Sequence, residues 1–253
     1  MKKKLIIVGL LIGLWSMFAV TVASATTVNP IPDIGIQIGD SGGEPSTSSL
    51  SIILLITVLS IAPAILVLMT SFTRIVIVLG FVRSSLGTQQ MPPNQVLVGL
   101  ALFLTLFVMS PTLSTINEVA LQPYLKAEIS QTEALNKATV PMKEFMYTNT
   151  RPKDIQLFMS YTKTEKPASY QDIPLSVMVP AFAISELKTA FQMGFMIFIP
   201  FLIIDIVVAS VLMAMGMMML PPVMISLPFK ILLFVLVDGW YLIVKSLLVS
   251  FNT

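Results

Sequence analysis

Apolar residues fall in long uninterrupted runs, and polar ones are gathered into a few separate stretches. Leu50 to Met69 is a run of 20 residues without a charge, about 30 Å of helix and enough to cross the hydrocarbon core of a bilayer. Pro63 lies inside it, and the apolar pattern resumes past Arg74 as far as Val82. That stretch is too long for one straight span, so a helix kinked at Pro or re-entrant is expected. Val96 to Leu113 forms a second run after the breaker Met91-Pro92-Pro93-Asn94. Together they predict a first apolar hairpin over 50–113, turned near Ser84 to Asn94. Phe195 to Met219 and Leu227 to Ser250 predict a second hairpin within 195–253, turned at Pro221-Pro222. Between the hairpins, 114–194 carries most of the charge, and its spacing suggests short amphipathic helices separated by Pro141, Pro152 and Pro167. The expected fold class is all-α and integral-membrane: four long apolar helices, kinked at Pro, with a charged and partly helical middle region.

Residues 1–25 have a different layout. Lys2 to Lys4, an apolar run from Leu5 to Val20 and the triplet Ala23-Ser24-Ala25 match a secretory signal peptide cleaved between Ala25 and Thr26. An uncleaved first transmembrane helix is the alternative, because the run exceeds the usual apolar stretch of roughly 7 to 15 residues. Residues 26–49, rich in Pro, Gly, Ser and Thr, read as a flexible polar linker. With a cleaved leader, the short turns holding Arg83 and Lys230 lie inside and the charged middle region outside, by the positive-inside rule.

Composition narrows the chemistry. Hydrophobic residues make up 55% and charged residues 11%, far below the roughly 25% charged of soluble domains. There is no Cys and no His, which removes disulfides, thiol nucleophiles, imidazole bases and nearly all structural zinc sites. The net charge of +2 comes from the leader: without Lys2, Lys3 and Lys4, 12 of the 15 basic residues face 13 acidic ones. From Glu118 to Lys188 the two signs balance, which fits a protein contact surface and no nucleic-acid surface. No phosphate loop, nucleophile elbow, zinc helix or dinucleotide fingerprint occurs. The expectation is no enzyme, no cofactor and no metal.

Two features sit where lipid would not want them. Arg74, Asp205, Asp238 and Lys245 lie in or beside apolar segments, and a lipid-facing charge there costs about 3 kcal/mol or more. They must face protein or water. Asp205 could belong to a proton relay of a proton-coupled transporter, or these groups could be ion pairs that fix packing, with Glu186, Lys188 and Lys230 as partners. Met213, Met215, Met217, Met218, Met219 and Met224 crowd the end of the third apolar segment. Such pliable side chains suit either a core or an opening that deforms around a passing chain. Consecutive Met residues cannot share one face of a regular helix, so lining an opening requires irregular backbone next to Pro221-Pro222.

Three blocks are specific. The first is Thr70-Ser71-Phe72-Thr73-Arg74-Ile75-Val76-Ile77-Val78 with Leu86-Gly87-Thr88-Gln89-Gln90-Met91-Pro92-Pro93-Asn94-Gln95. The second is Pro180-Ala181-Phe182-Ala183-Ile184-Ser185-Glu186-Leu187-Lys188-Thr189-Ala190-Phe191. The third runs from Pro200-Phe201-Leu202-Ile203-Ile204-Asp205 through Met217-Met218-Met219, Pro221-Pro222 and Pro228-Phe229-Lys230 to Val237-Asp238-Gly239-Trp240. These resemble the FliP family of type III secretion export gate subunits, over roughly Leu50 to Leu247. The leader, the linker and Gly87 to Gln90 are closer to the flagellar branch than to the virulence (injectisome) branch.

The resemblance implies a subunit of the flagellar protein export gate in the bacterial inner membrane, within the flagellar basal body and toward its periplasmic side. Its implied partners are further copies of itself, about five in all, joined to FliQ and FliR in a helical hetero-oligomer. FlhB, FlhA, basal-body ring and rod proteins and unfolded flagellar export substrates complete the set. It also implies that Met217, Met218 and Met219 form a gasket that seals the channel. Arg74, Glu186, Asp205, Lys230 and Asp238 would then form ion pairs between subunits, with Glu186 and Lys230 resembling one such contact.

Overall fold

The computed structural model describes residues 47–88, 91–162, 167, 169–217 and 219–251. The expected leader, its cleavage site at Ala25 and Thr26, and the linker up to residue 46 lie outside the described residues.

The first apolar run is helix α1 (Thr47–Met69), and Pro63 lies inside it without ending it. The break comes later, at Thr70 and Ser71, where the direction turns by 67° into α2 (Phe72–Leu86). The kink expected at Pro63 is therefore displaced to hydroxyl residues. Thr70 Oγ1 donates to the Leu66 carbonyl and accepts from the Phe72 N–H, while Thr73 Oγ1 donates to the Val67 carbonyl. These side chains supply the backbone with partners that a continuing helix would otherwise provide.

Helix α2 carries a regular stripe, Ile75, Val78, Leu79, Val82 and Leu86, all buried, at the spacing of one helix face. Gly87, at φ 73°, ends it, and its N–H donates to the Ser84 carbonyl. Helix α3 (Asn94–Ile116) packs against α2. It continues through a π-helical turn, Asn117–Leu121, into α4 (Gln122–Leu125), so that 94–125 is one apolar helix overlapping the start of the charged region. Pro123 has no N–H for the carbonyl four residues back; the wider turn, with the Gln122 N–H on the Asn117 carbonyl, accommodates it.

The middle region contains α5 (Gln131–Thr148), capped by Ser130, whose side chain accepts from the Glu133 N–H. Pro141 is buried inside this helix and separates nothing. Pro152 does mark a boundary, as the first residue of α6 (Pro152–Thr162). A 3₁₀ turn, Tyr170–Asp172, then leads into α7 (Leu175–Ala214), 40 residues long and unbroken at Pro180 and Pro200. The change of composition near Gly194 thus falls inside one helix. At about 60 Å, α7 is twice the thickness of the hydrocarbon core.

Helix α8 (Pro222–Leu236) returns along α7. The last apolar run is two helices, α8 and α9 (Gly239–Val249), bent by 63°. Asp238, in the left-handed region at φ 51°, makes the corner. Phe234 packs so closely under Gly239 that a β-carbon there would stand 2.3 Å from its ring. The four-helix expectation changes accordingly. Among the described residues two helices, 94–125 and α7, are long and apolar enough to cross a membrane, and two bent pairs meet the criterion only when joined.

Two cores result. One joins α2, α3, the middle of α7, α8 and α9, through residues such as Ile75, Leu79, Ala101, Ala190, Phe201, Phe234 and Leu247. The other joins α5, α6 and the start of α7 through Met146, Ile155, Ile173, Val177, Met178 and Phe182. Gly194 sets the crossing of α7 on α2, with Phe81 lying where a β-carbon would be, 2.4 Å from its ring.

Candidate functional site

Arg74, in the first turn of α2, is 3% exposed, and Glu186, on α7, is fully buried. Arg74 Nε donates to Glu186 Oε2 at 2.9 Å and Nη2 donates to Oε1, a two-pronged pair between residues 112 positions apart. The remaining nitrogen, Nη1, donates to the Ser250 carbonyl at 2.8 Å and to Ser250 Oγ at 3.0 Å. The planar fork of arginine suits this arrangement, and a lysine could not reproduce it.

The second clasp lies lower on α7. Lys230 Nζ, on α8, donates to Asp205 Oδ2 at 2.6 Å, and Ser226 Oγ donates to Asp205 Oδ1. Lys230 is 3% exposed and Asp205 23%. Both oxygens of Asp205 are occupied by groups one turn apart on α8. The turn after α2 also approaches here, since a methyl on Gly87 would stand 3.7 Å from Lys230 Nζ.

Four of the five charged residues that the resemblance assigns to contacts between subunits have a partner within the chain: Glu186 takes Arg74 and Lys230 takes Asp205. Asp238 stands exposed at the α8–α9 corner and makes no ion pair among the described residues. Lys245 lies over the Tyr241 ring, 5.8 Å from its centroid. Ser226 and Ser250 were missed. A serine in an apolar helix one turn before a lysine could have pointed to the first, but nothing local marks Ser250, 176 positions from Arg74.

Between α7 and α8 the backbone has the irregularity that the methionine cluster requires. Gly216, at φ 75°, donates its N–H to the Met213 carbonyl, and the Met217 N–H reaches back to the Leu212 carbonyl at 2.9 Å. This is a Schellman ending, with glycine in the position where a side chain would be strained. It stops α7 and leaves Met217 39% exposed and Met219 99% exposed, outside any helix. Met218 lies outside the described residues. A wholly apolar groove of about 510 Å³ runs beside this loop between α7 and α8, lined by Ile203, Val207, Val211, Ile225 and Phe229 among others. A second groove, of about 780 Å³ with mixed lining, opens between α5 and α6 around Tyr147, Thr150, Gln156 and Met159. Among the described residues no group of three or more carboxylates could hold a metal ion.

The profile of the FliP family matches residues 55–247. The chain is similar to the flagellar biosynthetic protein FliP of Bacillus subtilis strain 168, with 72% identity over 211 residues, 83% of this chain and 96% of that protein. Its counterpart in Pectobacterium carotovorum is 52% identical over 221 residues, covering 87% and 86%. The flagellar biosynthetic protein FliP of Aquifex aeolicus strain VF5 is 48% identical over 224 residues, covering 88% and 92%. The matched span takes in both clasps and the methionine loop and stops short of Ser250.

Proposed function

The chain belongs to the FliP family, and from that premise we propose that it is a pore-forming core subunit of the flagellar protein export gate. It is a membrane-associated component of the flagellar export apparatus and supplies walls and a seal. The chemistry that drives transport lies elsewhere. In this reading several copies join FliQ and FliR in the inner membrane, next to FlhB and FlhA, and unfolded flagellar proteins pass through the centre. Met217, Met218 and Met219 close the channel against small ions and yield to a passing chain. The observation that carries this is the loop after Gly216, which presents Met217 and Met219 outside any helix between two apolar helices. Thioether side chains there have no fixed packing to lose when something pushes through.

The test replaces Met217, Met218 and Met219 together by Ala and records ion conductance and export in the same cells. Raised leak with continued export supports the seal; an unchanged leak removes it. Native mass spectrometry after co-expression with FliQ and FliR tests the assembly. A complex holding several copies supports it, and a lone monomer indifferent to those partners overturns it.

Two partners of Asp205, Lys230 and Ser226, favour a packing role over the proton-relay reading. Asp205→Asn combined with Lys230→Met removes both charges. Restored export in the double variant supports packing, and export lost in a complex that still assembles would bring back the relay.

A further inference from the structure

The two cores share α7, and the 94–125 helix, which packs on α2, also packs along α5. A further connection exists to one side. Phe251, in the turn after α9, is partly buried against the first core. The Arg74 guanidinium lies over its ring, 3.8 Å from the centroid. Its ring also stacks on Phe145 of α5, with centroids 6.3 Å apart and planes at 21°. Phe145 meets Phe182 of the second core edge-on at 5.9 Å. Arg74, Phe251, Phe145 and Phe182 thus form one column that passes from one core to the other. The cation at its end has every nitrogen engaged, and it also satisfies the Ser250 carbonyl just past the end of α9, where helix carbonyls lack partners.

We propose that the Ser250–Phe251 turn is a rivet that ties the end of α9 in the apolar half to α5 in the charged half, with Arg74 as its positioning residue. Glu186 holds Arg74, Arg74 holds the turn, and the turn holds α5 through Phe145. The column adds an attachment to those that α7 and the 94–125 helix provide. The inference concerns coupling inside the chain and stands whichever way the gate reading is decided.

Hydrogen exchange by mass spectrometry on the full chain in its detergent-solubilised complex tests it, since each region reports its own opening. Phe251→Ala is expected to speed exchange about tenfold in both α9 and the last two turns of α5, leaving the 94–125 helix unchanged. Phe145→Ala is expected to speed the same two regions, and the double variant to add little to either, as for residues acting through one contact. Phe251→Tyr, which keeps the ring, should retain protection. The proposal is overturned if Phe251→Ala loosens α9 alone and Phe145→Ala loosens α5 alone. Should Phe251→Ala exchange rapidly throughout and so have lost its fold, Phe251→Leu decides, because it keeps the bulk and removes the π face. Faster exchange in both regions then supports the rivet, and faster exchange in neither overturns it.

Discussion

The two clasps on α7 use the same chemistry in opposite settings. Arg74 and Glu186 are sealed from solvent, and both carboxylate oxygens and all three guanidinium nitrogens are engaged. Lys230 is as buried, but Asp205 keeps a quarter of its side chain open, and its partners come from one neighbouring helix. A sealed pair that loses one member leaves a charge that water cannot reach, whereas an open pair can be partly repaired by solvent. The contrast divides their roles: the first clasp fixes where α2, α7 and the end of α9 meet, and the second, open to solvent on one side, fixes α8 on α7.

The sharpest break is Glu186→Ala. It strands the Arg74 guanidinium and is expected to cost about 3–5 kcal/mol, read as thermal unfolding of the detergent-solubilised protein. A cost near 1 kcal/mol would make the two clasps equivalent. Asp205→Asn is expected to cost about 2–3 kcal/mol by the same measurement, because the amide still accepts from Ser226 while Lys230 loses its counter-charge. Gly194→Ala sharpens the comparison without touching a charge. Phe81 must give way where α2 crosses α7, for about 1–2 kcal/mol. Exchange should rise in α2 and leave the Asp205 region unaltered. Ser226→Ala is the smallest, about 1 kcal/mol for one hydrogen bond to a charged acceptor that water can replace.

Much of the architecture was legible before any coordinates. Hydropathy alone marked an all-helical chain with apolar helices long enough to cross a membrane, because burial and membrane insertion reward the same uninterrupted runs. The breaks were misplaced for one reason. Proline reads as the breaker at Pro63 and Pro141, yet both sit inside helices, and the chain bends at Thr70-Ser71 and at Asp238. In apolar segments, hydroxyls that bond to the backbone and a residue in the left-handed region redirect the chain as effectively as a missing N–H. The charged residues of the site were recognisable as buried charges that need partners. Their pairing was not, since Arg74 and Glu186 come together only through the crossing that Gly194 and Phe81 permit. The methionine cluster stands out in the composition, its role as a seal comes only from the resemblance, and the release of Met217 and Met219 from the helix by Gly216 needed the backbone.

The length of α7 turns small motions into large ones. From Glu186 to Ala214 the helix extends about 42 Å, so a tilt of about 5° with the sealed clasp as fulcrum carries its far end through about 4 Å. That is on the scale of a methionine side chain. A lever of this reach turns a slight change of angle at the clasp into a displacement that the methionine loop at its end must follow.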